Sequence, residues 1–385
     1  MTEPAPAGPL AGLKVLEMAG LGPVPLAGLM LAEFGADVVR IERRKADRPF
    51  LAPSPPHDLD RHGRAVLKVD LKRPDGVALV TAMALAADVI LEGFRPGVME
   101  RLGLGPEPLT AANTRLVYGR MTGFGRDGPL AGRAGHDLTY LAYTGILSSI
   151  GPAGGRPLPP LNLVADYGGG AMLLLAGVLA ALFERFSSGR GQVVDAAMID
   201  GASLLAAPFF AFLASGLWQE RRGANLLDSG APFYDTYETA DGRWMAVACL
   251  EPRFFAEFAR LLPLAGDLAA RQYDRSAWPA MRTAIAARFG QATQAEWSAL
   301  FGPTDACVAP VLALSEASRH PHSLARRAHV EASGGLRRPA PAPRLSRTPL
   351  RLAEPPAEGC PFEALGRFGI ARTEAERLAD AGILG

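Results

Sequence analysis

The stretch LKVLEMAGLGPVPLAGLMLAEFGADVVRI, residues 13–41, decides the fold class. Residues 13–18 form a short apolar run, typical of a buried strand. Residues 25–34 place apolar side chains at helical spacing and stop before Gly35, a common helix terminator. Residues 36–41 are a second apolar run. A strand, a helix and a strand within about 30 residues predict a βαβ unit, because parallel strands need a crossover connection.

The same alternation continues outward from this unit. Strands are predicted at residues 65–71, 88–91 and 116–121, with helices that begin at Pro74 and at Pro96 because proline favours a first helical turn. A glycine-rich helix at residues 168–183 and a strand at 192–197 follow. This pattern predicts an α/β fold with a doubly wound, largely parallel, Rossmann-like sheet.

The C-terminal half does not continue the alternation of strands and helices. Residues 232–239 and 244–250 flank Asp241-Gly242 and predict a β-hairpin, and Thr293 with Glu296 forms a capping box that begins a helix. We therefore expect a small α+β domain at residues 226–330. The large domain would be residues 1–225, completed by a Pro-rich strap and helix at residues 331–385.

Composition excludes several function classes. The 385 residues include 40 Lys plus Arg and 39 Asp plus Glu, so a net charge of +1 gives no general attraction to nucleic acid or an anionic membrane. Three cysteines exclude a disulfide scaffold and suit a reducing compartment. The most apolar run, residues 171–183, is shorter than a membrane span. No segment resembles a signal peptide, so we expect a cytoplasmic protein without nucleic-acid or membrane partners.

The loop after the first strand carries part of a dinucleotide fingerprint. Gly20 and Gly22 match its first two glycines, and Glu42 lies where a ribose ligand is expected. Pro25 stands where the third glycine belongs, which argues against nicotinamide binding.

Basic residues gather at the predicted strand ends, where ligands of open α/β sheets bind. Jointly they favour a phosphorylated ligand, because guanidinium groups bind phosphate bidentately, whereas any one of them alone is equally well a solvated surface residue. The set comprises Arg40, Arg43, Arg44, Arg64, Lys68, Lys72, Arg95 and Arg101.

Three residues are candidates for acid/base chemistry. His136 precedes a helix predicted at residues 138–147, whose dipole favours the neutral imidazole of a base. Asp166 opens the glycine-rich helix in an almost uncharged neighbourhood, where desolvation would raise the pKa of its carboxyl group. Glu251 ends a strand and is a poor N-cap residue, which favours a functional role. The structural alternatives are a loop histidine for His136 and a simple N-cap for Asp166.

Long co-linear motifs extend these observations. Together they resemble family III CoA-transferases (CaiB/BaiF-like), and within that family the branch of 2-methylacyl-CoA racemases. The likeness covers about residues 10–325 and continues more loosely through residues 339–343. The motifs are LAGLKVLE (10–17), GADVVRIER (35–43), GRMTGFG (119–125), AGHDLTY (134–140), PLNLVADYGG (160–169), GQVVDAA (191–197) and GAPFYDTYE (230–238).

The resemblance implies an intertwined homodimer that binds acyl-CoA thioesters where large and small domains meet. It implies that His136 and Asp166 are the catalytic acid/base pair and that Glu251 pairs with the histidine. Thr139 departs from the family, in which racemases often have Asn there. The positions that match CoA contacts are Arg43, Lys68, Val69, Asp70, Leu71, Arg95, Arg101, Gly135, Leu138, Thr139 and Tyr140.

The implied reaction is isomerisation: inversion of the α-carbon of a 2-methylacyl-CoA thioester through an enolate. Two bases on opposite faces remove and deliver the proton, here His136 and Asp166. The backbone amide of Asp137 would stabilise the enolate oxygen. No metal or organic cofactor is expected, since CoA is part of the substrate. The alternatives are a CoA-transferase with Asp166 as nucleophile and a non-catalytic acyl-CoA carrier.

Overall fold

The computed structural model describes residues 8–44, 53–54, 56–357 and 362–385. The chain forms two compact units. The first comprises Met1–Thr144, Leu161–Leu205 and Pro321–Gly385, and the second comprises Gly145–Pro160 and Ala206–His320. Residues 145–160 and 206–225, assigned to the large domain from sequence, belong to the second unit, and residues 321–330, assigned to the small domain, belong to the first.

The strands within the described residues are short and follow the predicted positions closely in the N-terminal half. They are β1 Lys14–Met18, β2 Asp37–Arg43, β3 Arg64–Val69, β4 Val89–Glu92, β5 Val117–Thr122, β6 Val193–Ala197, β7 Tyr234–Glu238, β8 Trp244–Ala248, β9 Val308–Pro310, β10 His329–Ala332 and β11 Leu336–Pro339.

The helices alternate with these strands, and one of them begins as a π-helix, Leu163–Ala171. The α-helices of the described chain are α1 Pro23–Glu33, α2 Pro74–Leu85, α3 Val98–Arg101, α4 Pro106–Ala112, α5 Asp137–Thr144, α6 Ile146–Ser149, α7 Met172–Ser188, α8 Met198–Leu205, α9 Ala207–Ala214, α10 Pro252–Leu261, α11 Trp278–Phe289, α12 Gln294–Phe301, α13 Leu314–Ala317, α14 Pro321–Ala325, α15 Phe362–Arg367 and α16 Arg372–Asp380.

The first unit is built on a parallel sheet with strand order β3-β2-β1-β4-β5-β6. This confirms the predicted α/β class and the doubly wound parallel sheet. The prediction that a helix begins at Pro96 is wrong. Gly97 adopts a left-handed conformation (φ 82°) after it, so the helical turn α3 begins only at Val98. The β10–β11 hairpin was not predicted from the sequence.

The C-terminal segment belongs to the first unit. Arg351 N–H donates to the Glu33 carbonyl and Gly63 N–H donates to the Glu354 carbonyl, so the strap runs beside α1 and the start of β3. Phe368 and Leu378 then enter the hydrophobic core that covers the sheet. The chain end forms a β-bridge in which Leu384 faces Val69 of β3.

The longest helix is a core element of this unit. The run Leu163–Ser188 has 26 residues, twice the apolar run expected from sequence, and its length and composition alone would allow it to cross a membrane. Leu174 and Val178 are fully buried. Both lie beside Gly119 of β5, where an added β-carbon would meet them at 3.1–3.2 Å. The helix therefore packs closely on the sheet.

The second unit contains the predicted hairpin. β7 and β8 pair antiparallel, β9 pairs with β8, and the predicted capping box at Thr293 begins α12. Its core is rich in aromatic residues, which bury large apolar areas in a small volume. They include Phe233, Phe255, Phe258, Trp278, Phe289, Trp297 and Phe301.

A buried ionic cluster joins the first strands to the β1–α1 loop. Glu17 in β1 is fully buried and pairs with Arg40 of β2 and Arg64 of β3. Arg64 also donates to the Pro25 carbonyl in α1. At Gly28 a β-carbon would lie 2.8 Å from the Arg64 guanidinium, so glycine leaves the room that the cluster needs. Arg40 and Arg64 are therefore structural, which corrects their assignment to a phosphate-binding set.

We predict that Glu17→Gln lowers the free energy of unfolding by about 3 kcal/mol, because it removes the carboxylate that pairs with buried Arg64 and leaves Arg40 with only the partly exposed Glu42. Urea denaturation followed by circular dichroism measures this loss. Glu42→Gln is the matched control, because Glu42 pairs with Arg40 and Arg61 at a partly exposed position. The loss there should stay below about 1 kcal/mol. Equal losses in the two variants would contradict the assignment.

Candidate active site

The site lies at the carboxyl edge of the parallel sheet. β1 and β4 are adjacent strands from which the chain continues toward opposite sides, and ligands of open α/β sheets bind at such a switch point. The loop after β1 contains Gly22, which has φ 74°. A β-carbon there would lie 3.6 Å from Oδ2 of Asp166. A larger side chain would occupy the space beside that carboxyl group, so glycine keeps it open.

His136 lies immediately before α5, as the sequence predicts, although this helix spans Asp137–Thr144 and not residues 138–147. Its carbonyl accepts the N–H groups of Thr139 (2.8 Å) and Tyr140 (3.2 Å). The Thr139 hydroxyl accepts from His136 N–H at 2.9 Å and donates to its carbonyl at 2.7 Å. The His136 residue is exposed. The backbone of the histidine is thus fixed while its imidazole faces solvent.

Asp166 lies inside the first turn of the π-helix and is not its N-cap, so the capping interpretation is wrong. The helix begins three residues earlier, and Asn162 occupies the N-cap position. Asn162 Nδ2 donates to Asp166 Oδ2 at 3.2 Å. The carboxyl group of Asp166 is therefore not used to cap its own helix and remains available for chemistry.

Asp137 connects the two segments. Its Oδ2 accepts the backbone N–H groups of Ala165 (2.7 Å) and Asp166 (2.9 Å), so it caps the π-helix from a different part of the chain. Asp137 is 4% exposed, and its Oδ1 has no hydrogen-bond partner among the described residues. The residue after the candidate histidine thus holds the backbone of the candidate aspartate.

The surroundings of Asp166 favour its protonated form. Burial raises the pKa of its carboxyl group, the hydrogen bond from Asn162 lowers it, the negative charge of Asp137 raises it and His136 lowers it. The net effect is a raised pKa, in the direction that desolvation of a carboxyl group predicts. A raised pKa brings this carboxyl group closer to the range in which it can serve as an acid as well as a base.

Tyr140 forms one wall of the site. Its ring fills the space beside Gly123 and Gly135, where added β-carbons would lie 2.2 Å and 2.5 Å from the ring. Phe124 packs edge-on against it, with ring centroids 4.9 Å apart. Burial raises the pKa of Tyr140, and the charge of Asp166 raises it further. The two glycines in the quoted motifs therefore make room for this ring.

The residues matched to CoA contacts differ in accessibility. Arg43 and Lys68 lie at the ends of adjacent parallel strands, and both are exposed. Arg95 and Arg101, which follow β4, are exposed as well. Val69 is 1% exposed and packs in the core, so its side chain faces away from any ligand.

The C-terminal residues form hydrogen bonds with the backbone at Lys68 and Asp70. Lys68 N–H donates to Gly385 and Asp70 N–H donates to the Ile383 carbonyl. Asp70 Oδ1 accepts Lys72 N–H at 3.0 Å. These main-chain groups are already paired, which leaves the Lys68 ammonium and the half-buried Leu71 as the parts of this segment open to a ligand.

The dinucleotide alternative loses its acidic ligand. Glu42 Oε1 lies 3.3 Å from Arg40 Nε and 3.1 Å from Arg61 Nε. A carboxylate held by two guanidinium groups is not free to bind a ribose. No group of three or more His, Cys, Asp and Glu residues in the described chain is arranged to hold a metal ion.

Glu251 belongs to the second unit. It precedes α10 with extended backbone (φ −74°, ψ 145°), and its side chain makes no capping hydrogen bond. Its charge contributes, after burial, to a raised pKa of the Cys307 thiol. The exposed carboxylate of Glu251 is thus not used by its own helix.

Two contacts in the candidate site were missed from the sequence. Asn162 and Asp166 stand four residues apart, a spacing that places side chains together on one helix, so their hydrogen bond was within reach of the sequence. The side-chain role of Asp137 was not, because its partners are 28 and 29 residues away.

Comparisons with known proteins relate the whole chain to one family. The family model described as CoA-transferase family III matches residues 10–360. The chain is 44% identical over 376 residues to an alpha-methylacyl-CoA racemase of Mus musculus, covering 96% of each chain. It is 42% identical over 377 residues to the Homo sapiens alpha-methylacyl-CoA racemase, again covering 96% of each. A solved CaiB/BaiF family protein from Brucella suis superposes with a TM-score of 0.80 at 26% identity, covering 94% of this chain and 99% of that one.

We predict that the pKa of the Asp166 carboxyl lies above that of an ordinary aspartate. Asn162→Ala should raise it further, because the hydrogen bond from Asn162 stabilises the ionised form. The measurement is a titration of side-chain carboxyl carbons by NMR in ¹³C-labelled protein, with the Asp166 signal assigned through Asp166→Asn. An Asn162→Ala titration that moves to lower pH would contradict the prediction.

Proposed function

This chain belongs to CoA-transferase family III, and from that membership we propose that it inverts the α-carbon of 2-methylacyl-CoA thioesters. The enzyme is then an isomerase, a racemase or epimerase that acts by 1,1-proton transfer. The observation that carries the proposal is the pairing of an exposed imidazole with a carboxyl group of raised pKa at one sheet edge. Inversion at one carbon needs two acid/base groups of this kind.

The thioester carbonyl acidifies the α-hydrogen, and one base removes it while an acid on the other face delivers a new proton. For one epimer, His136 takes the α-proton and protonated Asp166 returns one to the opposite face. For the other epimer, the Asp166 carboxylate takes the proton and the His136 imidazolium returns one. Each turnover exchanges the protonation states of the two residues, so protons balance.

The enolate intermediate carries its negative charge on the thioester oxygen. Backbone N–H groups in the first turn of a helix have no intrahelical acceptor and stabilise such charge. In α5 the N–H of Asp137 is in this position, immediately after His136. We assign it as the enolate donor.

We assign Glu251 as the residue that orients the His136 imidazole and stabilises its protonated form. The functional assembly in this proposal is an intertwined homodimer. Large exposed apolar side chains support association, because monomers rarely expose extensive apolar surface. Examples are Phe183 (77% exposed), Phe186 (89%) and Leu217 (66%).

Exposed basic side chains would hold the CoA phosphates, since guanidinium groups bind phosphate bidentately. Arg43 and Lys68 serve one part of the ligand and Arg95 and Arg101 another. Gly135, Leu138, Thr139 and Tyr140 would line the site around the thioester. No separate cofactor takes part, and we place the protein in the cytoplasm.

The test uses one epimer of a 2-methylacyl-CoA in heavy water, with and without a free carboxylic acid as acceptor. We expect deuterium at the α-carbon together with inversion, and no CoA transferred to the acceptor. Transfer of CoA without deuterium would replace the proposal by CoA-transfer chemistry, with Asp166 as the nucleophile. Binding of the acyl-CoA with neither deuterium incorporation nor CoA transfer would favour a non-catalytic acyl-CoA carrier.

Variants separate the two bases. Asp166→Asn keeps the side-chain volume but loses proton transfer, so inversion should fall at least about 100-fold in both directions. Exchange of the α-proton should survive better for the epimer whose proton faces His136, with retained configuration. His136→Gln should show the opposite epimer preference. Wild-type inversion by either variant, measured by chiral analysis of the hydrolysed acid, would refute the assignment.

A further inference from the structure

We propose that the carboxylate of Asp137 is the positioning residue of the two-base site, fixing Asp166 relative to His136 and supplying a charge that acts on it. This inference deepens the proposed function and rests on it for its catalytic meaning. It concerns the side chain of Asp137, whereas the enolate donor above is its main-chain N–H.

Asp137 connects the two segments that carry His136 and Asp166. His136 and Asp166 lie on segments that are 30 residues apart, and their separation sets the distance across which a proton can be exchanged. One oxygen of Asp137 holds the amides of Ala165 and Asp166 at 2.7 and 2.9 Å. Asp137 itself adjoins His136, so a single buried side chain joins the backbones of both bases.

The surroundings of Asp137 also bear on its role. Capping a helix needs only an acceptor, which Ser, Thr or Asn supplies without a charge. Asp137 is 4% exposed, and its Oδ1 has no hydrogen-bond partner among the described residues. Burying a charge with a half-satisfied carboxylate is less favourable than burying a neutral cap. Asp137 thus caps the π-helix through Oδ2, and its charge also acts on the neighbouring Asp166 carboxyl group.

The charge of Asp137 also acts on the neighbouring Asp166. The titratable groups that act on the Asp166 carboxyl are Asp137 and His136, and Tyr140 responds in turn to Asp166. Burial raises the pKa of Asp166, and the negative charge of Asp137 raises it further against the hydrogen bond from Asn162. Two carboxyl groups at one helix start thus take different roles: one stays paired with amides and the other exchanges protons.

The experiment compares Asp137→Asn, Asp137→Ala and the matched variant Asn162→Ala. Asp137→Asn keeps an acceptor for the two amides and removes the charge. We expect the acidic limb of the kcat/KM profile, and the NMR titration of the Asp166 carboxyl carbon, to move to lower pH. Asn162→Ala removes an opposing hydrogen bond on the same carboxyl, so both readouts should move to higher pH.

Asp137→Ala removes the acceptor of the two amide hydrogen bonds as well as the charge. We expect kcat to fall about 100-fold with a smaller change in KM, because a displacement of about 1 Å at a reacting group can lose that factor. If Asp137→Ala fails to fold, the Asn variant still decides the question. Unchanged pH profile and titration in Asp137→Asn would overturn the proposal.

The titration separates this inference from the proposed function. An Asp166 signal that moves as expected in a protein without racemase activity would support the charge role of Asp137 and reject the proposed reaction. An active racemase whose Asp166 signal does not move in Asp137→Asn would support the reaction and reject the charge role of Asp137.

Discussion

The pair of hydrogen bonds from Ala165 and Asp166 to the Asp137 carboxylate is the interaction on which the site depends. A two-base inversion requires groups on opposite sides of one carbon, and no single helix or strand can present them that way. In the proposed reaction these groups would come from two helix starts, α5 and the π-helix, which one buried oxygen joins. The two hydrogen bonds between the Thr139 hydroxyl and the His136 backbone then fix the histidine end of the arrangement.

The sheet determines where this pair can lie. The strand order places the β1 and β4 ends side by side, and the loop after β1 passes Asp166 at Gly22. The buried Glu17 cluster contacts that loop, because Arg40 also donates to the Gly20 carbonyl at 3.4 Å. Buried ion pairs are a weak source of stability but fix geometry where several elements meet. Here they join β1, β2, β3 and α1 under the candidate site.

The parts of the structure that depend on local sequence were predictable. Apolar periodicity gave the βαβ alternation, and the position of His136 before α5 followed from the motif itself. Long-range pairing was not predictable from a single sequence. Arg40 and Arg43 look alike in the sequence, yet one is buried against Glu17 and the other is exposed. Asp166 looked like an N-cap because the π-helix begins earlier than its glycines suggest.

The central claim is that one substrate carbon lies between the His136 imidazole and the Asp166 carboxyl group. The most direct measurement is a crystal structure with a bound thioether analogue of a 2-methylacyl-CoA, in which a CH₂ group replaces the thioester carbonyl group. The account predicts the branched carbon between the two side chains, with one on each face. Asp166 in contact with that CH₂ group, and His136 remote from the branched carbon, would contradict the two-base account and favour nucleophilic CoA transfer.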